Sequence, residues 1–132
     1  MNSPSTEFSH QYLQATWAEL NRRYFRNALP AISILWSSRL TASMGLFYSR
    51  VGPRTSVNTE RRTNFDRRVI RLSLPLFRQL HKQHLHGNQE VASTLAHEMI
   101  HQWQYDILKR RPNHGADFRR MMRRMNQDGL RI

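Results

Sequence analysis

Phe8, Tyr12, Leu13, Trp17, Leu20 and Tyr24 step along the chain by three or four, which lines them up on one face of a helix. Ser5 or Thr6 can cap its start, and Pro30 closes it soon after Asn27. Ile32, Ile34 and Trp36 then alternate with Ser33, Leu35 and Ser37, the period-two pattern of a first strand. A second strand is predicted over 42–49, where Gly45 marks a bulge or a close backbone approach. Residues 51–67 are polar and basic and contain Gly52-Pro53, so they read as a loop or a loose hairpin. Val69, Ile70, Leu72 and Leu74 make a third strand, ended by Pro75, and a short helical turn over 76–81 leads to a link at 84–87. Asn88 suits the N-cap of the longest helix, predicted over 89–109. Arg111-Pro112-Asn113-His114-Gly115 breaks that helix. A last helix over 116–127 carries Phe118, Met121, Met122 and Met125 on one face.

These elements predict an α+β fold: a small, mostly antiparallel three-stranded sheet packed against helices, with the helix at 89–109 lying across one sheet face. At 132 residues the chain fits one domain over 1–132, with a core from about 8 to 127. Composition agrees, since 39% hydrophobic and 10% aromatic residues are enough to build a core. The first ten residues contain no apolar signal segment, and no uninterrupted apolar stretch is long enough to span a bilayer. The expectation is a soluble intracellular protein, cytoplasmic or associated with DNA in a nucleoid or nucleus. Oligomeric state is not legible.

The strongest chemical signal is His97-Glu98-Met99-Ile100-His101, an HExxH segment inside the longest predicted helix. Two histidines four apart on a helix stand one above the other, separated by about 6 Å along the axis, so both imidazoles can reach one ion. Glu98 follows the first of them closely enough to act on water at the metal without being a ligand itself. Val91, Leu95, Met99 and Ile100 make the surrounding helix apolar, where burying two histidines and a carboxylate with no metal would be costly. The pattern therefore points to a zincin-like hydrolase holding one Zn2+ per chain. The chain has no cysteine, which removes thiolate ligands, disulfides and a cysteine nucleophile.

Catalytic zinc takes three protein ligands and keeps one open position. No glutamate follows Glu98, and Gln104 and Ile107 stand where another zincin pattern needs glycine and histidine. The remaining candidates are His114, Asp106, Asp117 and Asp128. His114 is favoured because it sits in the turn after the helix, beside Gly115, where the chain can fold back. Asp117 is the reserve ligand or a group supporting one.

Lys and Arg number 21 against 9 acidic residues, a formal charge of +12. A scattered excess would serve solubility; here it is clustered and rich in arginine, which implies an anionic partner. One cluster is Arg61, Arg62, Arg67 and Arg68, close to Arg71. Another follows His114, where Arg119, Arg120, Arg123 and Arg124 pair at i, i+4 and repel unless an anion lies between them. Lys109, Arg110 and Arg111 precede it. With no base-reading motif, DNA binding should be insensitive to sequence and weakened by salt. Trp36, Phe47, Tyr48 and Trp103 are candidate stacking surfaces for unpaired bases, against a core role.

HEMIH followed by His114-Gly115-Ala116-Asp117-Phe118 resembles the SprT-like domain family. Leu20-Asn21, Tyr24-Phe25 and Leu29-Pro30 resemble that family's first helix and its exit. Residues 34–38 with Arg39-Leu40-Thr41 resemble its first strand and turn, and Ile70-Arg71-Leu72-Ser73 with Pro75-Leu76 resembles the strand before the active helix. The resemblance implies that His97, His101 and His114 bind zinc and that Glu98 is the catalytic base. It also implies cleavage of protein substrates on DNA, promoted by DNA. By analogy with zincins, the strand at 69–74 is expected to be the edge that pairs with an extended substrate peptide. Larger members carry an extra zinc-binding segment that contacts DNA; the 18 residues after His114 contain no cysteine, so no C-terminal zinc ribbon is expected. Two other readings stay open: a general zincin peptidase without DNA dependence, and a non-catalytic DNA-binding module with a structural zinc.

Overall fold

The structure, a computed structural model, describes residues 8–54, 68–83 and 87–132. Helix α1 runs from His10 to Phe25. Ser5 and Thr6 lie outside the described residues, and the cap is Ser9, whose hydroxyl accepts from the Tyr12 N–H at 3.0 Å. Leu13, Leu20, Tyr24 and Phe25 form the buried face. The helix ends on Arg26 at φ 54°, and the chain turns back under Asn21. That buried amide exchanges two 3.1 Å bonds with the Leu29 backbone, so one side chain fixes the exit toward the sheet.

Three strands follow: β1 (Ser33–Ser37), β2 (Gly45–Ser49) and β3 (Arg68–Ser73). The sheet is mixed rather than mostly antiparallel, in the order β1-β3-β2. β3 pairs parallel with β1 and antiparallel with β2. The strand expected at the edge is therefore the central one, and β2 is an edge. The reason lies in β3 itself: Ile70, Leu72 and Ser73 are fully buried, as a strand flanked on both sides must be. Arg68 is buried too. Its guanidinium makes a two-point ion pair with Asp106, at 2.8 and 2.7 Å, which ties the start of β3 to the end of the longest helix. Losing one partner of such a pair typically costs about 3–5 kcal/mol.

Ser73 ends β3 and caps α2 (Leu74–Lys82), accepting from the Leu76 N–H at 3.1 Å. Pro75, expected to stop the strand, sits in the first turn of this helix, where its missing N–H costs nothing. Ser73 also donates to the Leu40 carbonyl at 2.6 Å, binding the β1–β2 connection to the sheet. The 20-residue helix α3 (Gly87–Asp106) is about 30 Å long and packs on β2, β3, α1 and α2. It starts slightly before and ends slightly before the predicted span. Val91, Leu95, Ala96, Met99 and Ile100 bury its sheet-facing side. Helix α4 (Ala116–Gln127) matches its predicted span and inserts Phe118 and Met125 into the same core. Residues 129–132 then return along α3: the Gln89 amide donates to the Gly129 carbonyl, and the Arg131 N–H donates to Ser93 Oγ at 2.9 Å. No helix among the described residues is long and apolar enough to cross a membrane.

Candidate metal centre

His97, His101 and Gln104 fall at i, i+4 and i+7 on α3 and share one face of it. Helix α3 ends near Asp106, and after a left-handed residue at Lys109 the chain folds back over that face. This return brings His114 to the other two histidines. Nitrogen ligand atoms of all three rings lie within 4.8 Å of one another, and Nε2 of His97 and Nε2 of His114 are 3.3 Å apart. Two nitrogens sharing one tetrahedral ion through bonds of about 2.0–2.1 Å sit roughly 3.3 Å apart. The donor set and its spacing thus fit zinc.

Protonation also suits ligation. Burial pushes the His97 imidazole down to about 4, helped by the neighbouring His101 and His114 rings. Burial lowers His101 as well, against the opposing effect of its bond to Gln104. Both rings are neutral at pH 7 and offer a lone pair.

Gln104 determines which nitrogen of His101 is offered. Its amide N–H group donates to the Asn113 carbonyl at 3.0 Å and to an Asp117 carboxylate oxygen at 2.8 Å. Its oxygen accepts the Asn113 N–H at 3.1 Å and faces His101 Nδ1 at 3.0 Å. A donor on one side and a carboxylate on the other fix the orientation of the amide. His101 Nδ1 must therefore carry the proton, leaving Nε2 for a metal. The same amide holds both ends of the turn that carries His114. Asn113 Oδ1 accepts from the Gly115 N–H at 2.8 Å, and the Arg119 guanidinium donates to the His114 carbonyl at 3.0 Å. Phe118 lies beneath the cluster, its ring centre 4.9, 5.0 and 4.7 Å from the rings of His97, His101 and His114.

The other candidate ligands are engaged elsewhere. Asp106 pairs with Arg68, Asp128 accepts from the Tyr24 hydroxyl, and Asp117 holds Gln104 and pairs with Arg110. The role of Gln104 escaped the sequence reading, although an amide one helical step beyond two histidines spaced four apart is a usable signal. Phe118, read from the sequence as part of the apolar face of the last helix and of the family motif, also underlies the histidine rings.

Glu98 is buried beside His97, in a cleft of about 240 Å³ lined also by Met44, Gly45, Thr94 and Ile132. Burial raises its carboxyl to about 7, partly opposed by a hydrogen bond from the Phe47 backbone N–H of β2. β2 approaches α3 this closely because residue 45 is glycine: a Cβ there would stand 2.7 Å from Thr94 Cγ2 and 3.1 Å from Glu98 Oε2. Gly45 is thus the close approach expected from the sequence.

The expected anion-binding arginines divide. Arg61, Arg62 and Arg67 lie outside the described residues. Arg68 is turned inward to Asp106 and presents no charge at the surface, which corrects its assignment. Arg119, Arg120, Arg123 and Arg124 are exposed on α4, although Arg119 binds the His114 carbonyl and Arg124 lies over the Tyr24 ring. Of the candidate stacking residues, Trp36 packs on Phe8 and Phe77, Phe47 on Tyr105, and Trp103 on Phe25. Tyr48 is half exposed.

A sequence profile of the SprT-like family matches residues 13–132. The chain is 33% identical over 118 residues to the DNA-dependent metalloprotease SPRTN of Rattus norvegicus, covering 87% of this chain and 20% of that protein. To the Homo sapiens protein of that name it is 32% identical over 117 residues, 86% of this chain and 20% of the other. To the DNA-dependent metalloprotease dvc-1 of Caenorhabditis elegans it is 30% identical over 131 residues, 96% of this chain and 31% of the other. The chain therefore spans between a fifth and a third of the length of these curated relatives. It belongs to the SprT-like family.

Proposed function

We propose that this chain is a zinc-dependent endopeptidase that acts on proteins bound or crosslinked to DNA. The observation that carries the reading is the gathering of three imidazole ligand atoms within 4.8 Å of one another beside a buried carboxylate. A zinc ion held by His97, His101 and His114 would supply a Lewis acid for the scissile carbonyl and for water. Glu98 takes the proton of the attacking water and hands it to the departing amine. A carboxyl raised to about 7 is matched to that exchange near neutral pH. The Phe47 N–H aims the carboxylate, and Gln104 keeps His101 in the ligating tautomer. An extended peptide would lie along β2, the edge strand beside the cleft, and not along the central β3. The formal charge of +12 and the DNA-dependent metalloproteases among the relatives support the DNA association.

The test is cleavage of a basic DNA-bound protein by zinc-loaded wild type and Glu98→Gln, with and without single-stranded DNA. Wild type should cleave, and faster with DNA. Glu98→Gln should lose at least about 100-fold in turnover while keeping its zinc. Equal turnover in the two proteins would favour a structural zinc in a non-catalytic module. Cleavage indifferent to DNA would favour a general peptidase.

A further inference from the structure

Of the basic residues clustered in the sequence, the fold assembles Lys109, Arg110 and Arg111 into a concave surface, together with Arg54, which no sequence cluster contained. Past β2 the chain passes Arg50 and Arg54, and past α3 it passes Lys109, Arg110 and Arg111. These two segments face each other across an open groove of about 650 Å³, lined by Arg54, Lys109, Arg110 and Arg111 with Gly52 and Pro53. A second hollow of about 530 Å³ shares Arg111, Gly52 and Pro53 with it and continues past Arg50 to Tyr48. Among the described residues no carboxylate lines either hollow, and Asp117 reaches Arg110 from outside the lining. The walls are fastened from behind: the Tyr105 hydroxyl anchors the Val51 and Gly52 carbonyls, and Arg54 Nε donates to the Lys109 carbonyl at 3.3 Å.

Lys109 is a second, independent observation. It occupies the left-handed position after α3, at φ 59°, and the Arg110 N–H closes the turn on the Gln104 carbonyl at 3.0 Å. Glycine is the usual residue there, because any Cβ is strained at that φ. A lysine here presents its charge at the rim of the groove at a cost in backbone energy that glycine would avoid.

We infer that this groove binds the phosphates of a single nucleic-acid strand, with Tyr48 stacking on an unpaired base. Converging cations on a concave wall raise the local concentration of a polyanion more than the convex arginine face of α4 does. A half-exposed aromatic ring beside a basic groove suits a strand whose base faces are free, which a duplex does not offer. The groove also adjoins the metal centre, since Asn113 lines it and immediately precedes His114. A strand held there would keep its bound protein near the cleft. The inference rests on the DNA association proposed above and adds its location.

The experiment measures binding of a fluorescent oligothymidylate to the full chain by anisotropy across a salt series. The variant combines Arg50→Gln, Lys109→Gly and Arg111→Gln. Arg54 and Arg110 stay, because they hold the Lys109 carbonyl and Asp117. The variant should keep its zinc and melt no lower than wild type, since glycine relieves the backbone at 109. Its affinity should fall at least tenfold, and the log–log salt slope should lose about 2, as expected for three lost phosphate contacts on a single strand. Tyr48→Ala should weaken binding several-fold, and neutralising Arg119, Arg120, Arg123 and Arg124 should matter less than neutralising the groove. Undiminished binding by the groove variant would overturn the inference while leaving the DNA association standing. So would equal affinity for duplex together with a neutral Tyr48→Ala. A wild type that ignores the oligonucleotide at low salt would sink both, whereas a wild type without zinc would sink only the peptidase reading.

Discussion

Gln104 has no charge and no place in the histidine cluster, yet it decides the state of two of its members. Its hydrogen bonds set the His101 tautomer and close the turn that delivers His114. Methionine at this position keeps the volume and removes every bond. Gln104→Met should weaken zinc binding by about 10–100-fold, as loss of such supporting groups does elsewhere. Competition against a chromophoric chelator measures this, and unchanged affinity would show that the turn holds without the amide. Charge at the site has its own signature in zinc-free protein. Glu98 is raised from 4.5 to about 7 by burial, so it favours the fold below pH 4.5 and loses that contribution as pH rises through 7. His97 is lowered from 6.5 to about 4, so its contribution is present above 6.5 and is lost as pH falls toward 4. Glu98→Gln removes only the first effect. Its stability relative to wild type should therefore rise between pH 4.5 and 7 and level off above, by up to about 3 kcal/mol. Urea midpoints of both chelated proteins across pH would reveal it, and a difference flat with pH would contradict it.

At the scale of elements, the site depends on how closely β2 crosses α3. Gly45→Ala would place a methyl group 2.7 Å from Thr94 Cγ2, pushing the strand off the helix and pulling the Phe47 N–H from Glu98. The expected cost is about 1–3 kcal/mol with a loss of turnover. Adding Thr94→Ser, which removes that Cγ2, should restore part of both. A double variant no better than Gly45→Ala would mean that the contact with Glu98 dominates. Gly45 was legible because a glycine inside an apolar strand gives up packing and backbone order, a sacrifice that marks a bulge or a close neighbour. Sheet order was not. Three strands in succession suggest a meander, and nothing local to Val69, Ile70 or Leu72 states that β3 inserts between β1 and β2. Pro75 misled for a related reason, since proline ends a strand and begins a helix equally well. Arg68 misled because an arginine's destination depends on a carboxylate 38 residues away, at Asp106.

Across the whole molecule, two members of the histidine cluster are legible from short-range spacing, and the third only from the turn that follows their helix. His97 and His101 are fixed by helical spacing. The absence of a later glutamate leaves His114 as a candidate alongside Asp106, Asp117 and Asp128, and the turn at Pro112-Asn113-His114-Gly115, which the fold bends back over α3, favours His114. The net charge pointed to a polyanion, but only the fold shows which cations share a concave wall. The most direct test of the three-imidazole centre is the zinc content of exhaustively dialysed protein by elemental analysis. Wild type and Asp117→Asn should each retain about one zinc per chain, and His114→Ala should lose it. A full, tightly held equivalent in His114→Ala would contradict the account.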